Sequence, residues 1–94
     1  MNPGDLVLSR AGRDKNRYYI VVNMEKDYCY ICDGDMRKSD RPKKKKNLHL
    51  VQTGLSSDFI KNRLNEGQRV TNNELRQEIS KIKDLLHPSE SPTE

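Results

Sequence analysis

Apolar residues in the first half of the chain fall in short runs divided by polar, turn-forming stretches. Asp5 to Arg10 reads as a strand centred on Leu6-Val7-Leu8, and Ala11 to Arg17 as a polar loop around Gly12. Tyr18 to Val22 and Tyr28 to Cys32 are rich in aromatic and β-branched residues, the composition of strands. Asn23 to Asp27 is a polar turn between them, and Asp33-Gly34 is a strong turn dipeptide. Met36 to Lys38 is a candidate fourth strand and Leu48 to Val51 a fifth, with Thr53-Gly54 closing the region. Five short strands in about fifty residues predict a small barrel.

The period changes after residue 54. Ser56-Ser57-Asp58 can cap a short helix that runs to about Asn65, with Gly67 as its stop. Thr71 and Glu74 have the spacing of a capping box, and Val70 and Leu75 that of a hydrophobic staple. Leu75, Ile79, Ile82 and Leu86 then form one apolar stripe before Pro88 ends the helix. The expected fold is mainly β: a small five-stranded barrel over 1–54, a helical extension over 55–88 with one short and one longer α-helix, and a disordered tail over 89–94. The stripe either covers the thin core of so short a chain or docks a partner protein.

Charge sharpens this division. The 94 residues carry a net +4, but residues 1–54 hold 12 Lys or Arg against 7 Asp or Glu, while residues 55–94 hold 6 against 7. The basic half suggests a polyanionic partner. No apolar run reaches the length of a membrane span, and no amphipathic basic helix or lipidation motif points to a membrane surface. The N-terminus lacks the pattern of a signal peptide. The expected setting is therefore the cytoplasm, with Cys29 and Cys32 reduced.

From Gly4 onward, the stretch Gly-Asp-Leu-Val-Leu-Ser-Arg-Ala-Gly-Arg-Asp-Lys-Asn-Arg-Tyr-Tyr-Ile-Val-Val resembles a KOW motif: a strand, a Gly-containing basic loop and a second strand. With the following Cys-Asp-Gly-Asp-Met-Arg-Lys and Lys-Lys-Lys-Lys-Asn-Leu-His-Leu, it is similar to a eukaryotic-type large-subunit ribosomal protein group and its short bacterial relatives. The likeness covers roughly residues 4–54. It implies an SH3-like barrel, binding to structured ribosomal RNA, and a place on or near the ribosome. Two positions depart from the pattern. Asn16 stands where many such loops have a second Gly, and an Asn can adopt the left-handed turn; Tyr19 stands near a third, which implies different packing of the second strand.

The RNA-binding candidates follow from this reading. Arg10, Gly12, Arg13, Lys15, Asn16 and Arg17 belong to the first loop, where cations can meet successive phosphates and a glycine permits close approach. Arg37, Lys38, Arg41, Lys43, Lys44, Lys45 and Lys46 form a dense basic run expected to be mobile until neutralised, and His49 lies beside it. Exposed members of Tyr18, Tyr19, Tyr28 and Tyr30 could stack on bases, although tyrosines in strands mostly pack. Cys29 and Cys32 have C-x-x-C spacing, but three residues along a strand put them on opposite faces, and a closed zinc site needs four ligands. No cofactor is expected. Asp33 and Asp35 read as turn residues, and with no catalytic constellation evident an enzyme is not expected. The competing function is a protein-interaction module of the transcription or translation machinery, using the barrel and the face of Leu75, Ile79, Ile82 and Leu86.

Overall fold

A computed structural model describes residues 1–86. Five strands run in the order β1 (Asp5–Ser9), β2 (Tyr18–Met24), β3 (Tyr28–Cys32), β4 (Lys43–Lys46) and β5 (Leu50–Ser56). They are followed by α1 (Asp58–Asn65) and α2 (Asn72–Leu86). All pairings are antiparallel, and the spatial order is β4-β3-β2-β1-β5. The mainly β class, with five strands, one short helix and one longer helix, is as the sequence predicts. The sheet is open, however: β4 and β5 are its edges and do not pair to close a barrel. Register shifts between β1 and β5 at Asp5/Val7, where the extra residues lie in β5, and between β2 and β3 at Val21/Asn23, where the extra residue lies in β2, are irregularities of the kind that bend a strand and increase its twist.

Three element assignments differ from the sequence reading. Residues 36–38 form no strand, and Met36 and Arg37 lie in a bend, because Asp33 uses its carboxylate to accept the backbone N–H groups of Asp35 and Arg37, both at 2.9 Å. The fourth strand is instead Lys43–Lys46, the run expected to be a mobile loop. Its register opposite Tyr28–Ile31 of β3 supplies the pairing that four consecutive lysines do not advertise. Finally, Asn47–His49 is one turn of 3₁₀ helix that breaks the expected alternation, leaving Leu48 exposed and Leu50 buried as β5 begins.

Both faces of the sheet are apolar at their centre. Leu6, Ile20 and Cys32 point to the face covered by the helices, where they pack with Ile60, Val70, Leu75, Ile79 and Ile82. Val7, Tyr19, Val21, Cys29, Ile31 and Leu50 form a second cluster. Cys29 and Cys32 thus lie in different clusters, as strand alternation requires. The stripe on α2 is spent inside the chain: Leu75, Ile79 and Ile82 are buried, and half-buried Leu86 packs against the same cluster. Each such buried side chain contributes about 1.5–3 kcal/mol of transfer free energy, which makes the helices part of the fold.

The helix starts follow local sequence. Ser57 Oγ accepts the Ile60 N–H at 3.1 Å, capping α1. Thr71 and Glu74 exchange side-chain-to-backbone bonds of 3.0 and 3.1 Å, completing the predicted box. Val70 and Leu75 share one cluster, as in a staple. No helix among the described residues is long and apolar enough to cross a membrane. The predicted tail over 89–94, and Pro88, lie outside the described residues.

Candidate nucleic-acid interface

The loop between β1 and β2 is shaped by two left-handed residues. Gly12 has φ 76° and Asn16 has φ 70°, so Asn16 takes the conformation expected of it. The loop closes through Asn16 N–H to the Ser9 carbonyl (2.8 Å) and Ser9 N–H to the Arg17 carbonyl (3.0 Å). Gly12 does not open onto empty space: a Cβ there would stand 3.4 Å from the Lys45 ammonium.

The centre of the region is Asp14, a carboxylate only 3% exposed. The Tyr19 hydroxyl donates to its Oδ1 at 2.9 Å. Arg37 presents Nε and Nη2 to its two oxygens at 3.1 and 3.2 Å. Lys45 Nζ reaches Oδ2 at 3.3 Å and also donates to the Ala11 carbonyl at 2.8 Å. Burial pushes the Asp14 carboxyl up, but the bonds from Arg37, Tyr19 and Lys45 outweigh it and hold the group below its ordinary value. Burial, reinforced by the bond to Asp14, pushes the Tyr19 phenol up to about 12. Tyr19 is therefore the donor that anchors the loop's carboxylate. One buried anion, satisfied by two cations and a phenol, ties the first loop to the 33–42 segment and to β4.

A second clamp lies beside it. Arg17 Nη2 bridges Asp33 and Asp35, both at 3.1 Å, while its Nε is buried without a hydrogen-bond partner. The Asp33-Gly34 turn also meets α2. Gly34 has φ 79°, and a Cβ there would fall 2.2 Å from the Asn72 carbonyl oxygen. Arg76 donates to the Gly34 carbonyl at 2.6 Å, and the Ser39 N–H donates to Asn72 Oδ1 at 2.7 Å. The 33–42 segment is thus held from both sides, by the first loop and by α2.

These contacts divide the predicted RNA-binding residues. Arg17, Arg37 and Lys45 are committed to internal carboxylates, and Lys45 is 8% exposed. Lys44 is surface-exposed but pairs with Glu25 at 3.2 Å. Arg10, Arg13, Lys15, Lys38, Arg41, Lys43 and Lys46 are exposed, and their side chains form no ion pair among the described residues. Half-buried His49 joins this region because its carbonyl accepts the Arg10 N–H at 2.9 Å. Sequence reasoning missed Asp14 and saw Tyr19 only as a change in strand packing. The available signal was a lone acid between Arg13 and Lys15, placed to neutralise a cation from elsewhere in the fold. The lysines of β4 also have a structural use, since charge on an edge strand discourages further strand pairing.

Among the described residues, no group of three or more His, Cys, Asp or Glu is placed to hold a metal ion. Burial pushes the Cys32 thiol up to about 12, which opposes thiolate chemistry. No protein-family model matches the chain, and no curated protein matches it.

Proposed function

We propose that this chain is a cytoplasmic, ribosome-associated protein that binds structured RNA and acts by association, with no chemical step. The observation that carries the reading is the set of exposed cations, without an ion pair among the described residues, on two tethered segments: Arg10, Arg13 and Lys15 on one, Lys38, Arg41, Lys43 and Lys46 on the other. Cations on a fixed framework lose less conformational freedom on binding than cations on a free loop. They are placed to neutralise phosphates and to position the protein, with little readout of base sequence. The resemblance of residues 4–54 to ribosomal KOW proteins supports ribosomal RNA as the partner.

The test is binding of the purified chain to a structured ribosomal RNA fragment and to duplex DNA of equal length across a salt series. RNA binding that exceeds DNA binding and persists near physiological salt is expected. Equal, weak binding that disappears with added salt would reduce the patch to general electrostatics and reject the reading.

A further inference from the structure

Strands β3 and β4 carry a second arrangement of charge and aromatic rings, away from the Asp14 clamp. Tyr28 lies directly opposite Lys46, and Tyr30 directly opposite Lys44. Alternation places these four side chains on one face and sends Cys29, Ile31 and Lys45 to the other. Cys32 shares this face, which the helices cover farther along the sheet; α2 packs there against β2 and β5, while β4 is an edge strand. Tyr28 and Tyr30 remain half-buried, and Lys44 and Lys46 are exposed.

The rings are already organised for cations and flat groups. Lys44 Nζ stands 4.7 Å from the Tyr28 ring centroid. Tyr30 donates its hydroxyl to Glu25 at 2.8 Å, and Glu25 also holds Lys44 at 3.2 Å, so one acid fixes a tyrosine and a lysine together. Tyr28 further lines a cleft of ≈ 380 Å³ with Asp27, Lys46, Asn47 and the exposed Leu48. Two residues along a strand are about 6.8 Å apart, comparable to one nucleotide step of an extended strand. Half-exposed tyrosine rings with flanking lysines at a sheet edge suit unpaired bases, which offer a π-face for each ring and a phosphate for each cation. A duplex, with its bases already stacked, offers these rings nothing.

We propose that this face is a stacking platform for unpaired RNA, with Tyr28 as its principal ring, Tyr30 beside it, and Lys44 and Lys46 meeting the phosphates. It rests on the RNA reading above and adds a single-stranded segment to the structured partner. Base binding displaces the Lys44 ammonium from the Tyr28 ring. Glu25, which retains that ammonium, and Asp27 oppose the polyanion.

The test titrates the full chain with a ten-nucleotide single-stranded RNA, following tyrosine emission and the anisotropy of a labelled oligomer. The chain has four Tyr and no Trp, so emission reports the rings directly. Wild-type emission should be quenched by the oligomer and left unchanged by polyphosphate of equal charge. Y28L should weaken binding about tenfold, within the range for losing one stacked base. Y28F should bind within twofold of wild type, and E25Q should bind more tightly. Loss of quenching, or Y28L binding as tightly as wild type, overturns the platform even if the structured fragment still binds. Failure of wild type on both RNAs overturns the RNA reading itself. Should Y28L prove unfolded by circular dichroism, the quenching contrast and E25Q decide: no quenching, or unchanged affinity in E25Q, overturns the proposal.

Discussion

Two basic stretches of this chain look alike in sequence and differ in use. In Lys43–Lys46, alternation on an edge strand sends Lys45 inward to Asp14 and leaves Lys44 and Lys46 outside. In the loop from Arg10 to Arg17, there is no such alternation: Arg13 and Lys15 are exposed, while the loop's own acid, Asp14, turns inward to receive Lys45 and Arg37. One stretch supplies a buried cation and the other the buried anion, and the pair holds both sets of exposed charges in place. Counting positive residues would weight Lys45 and Lys46 equally; burial separates them.

The comparison is tested most severely at the clamp. Gly34→Ala would put a methyl group 2.2 Å from the Asn72 carbonyl at a backbone angle that disfavours any side chain. The expected loss is about 4 kcal/mol, combining overpacking with left-handed strain. A thermal melt should show the midpoint falling by roughly 15–30 °C; a shift within a few degrees would mean α2 is not seated on this turn. Asp14→Ala leaves Arg37 and Lys45 without their shared anion and is expected to cost about 3 kcal/mol. Although it makes the chain more positive, it should weaken RNA binding, because the loops lose their tether. Tighter binding by a folded D14A would show that charge alone governs affinity.

The same pair gives a pH signature. Asp14 has a lowered folded value, so its contribution is present above the unfolded carboxylate value and is lost as pH falls through the folded one. Tyr19 is raised to about 12, so its contribution is present below about 10 and lost as pH rises toward 12. Melts across pH should show a shallower acid limb in D14N and a shallower alkaline limb in Y19F than in wild type; superimposable limbs would separate both groups from stability. Smallest is the effect of exposed charge. R13Q/K15Q should leave the melting midpoint within about 2 °C and weaken RNA binding by roughly tenfold, or about 1.4 kcal/mol.

Much of the framework was legible because it rests on local rules. The capping box at Thr71, the stripe from Leu75 to Ile82, the opposite faces of Cys29 and Cys32, and the left-handed Asn16 all follow from spacing or side-chain type. What could not be read depends on contacts distant in sequence. Four lysines carry no strand pattern, and only the register opposite β3 makes them β4. Residues 36–38 looked strand-like until the Asp33 carboxylate captured their backbone. The Asp14–Lys45 pair spans 31 residues and has no local trace.

The most direct test compares salt dependence of RNA binding in wild type, R13Q/K15Q and K45M. Each phosphate contact contributes roughly 0.7–0.9 to the slope of log affinity against log salt. R13Q/K15Q should flatten the slope by about 1–2, while K45M, which replaces the buried ammonium with an apolar chain of similar length, should leave it unchanged. Equal flattening in K45M, or an unaltered slope in R13Q/K15Q, would contradict the division between buried and exposed cations.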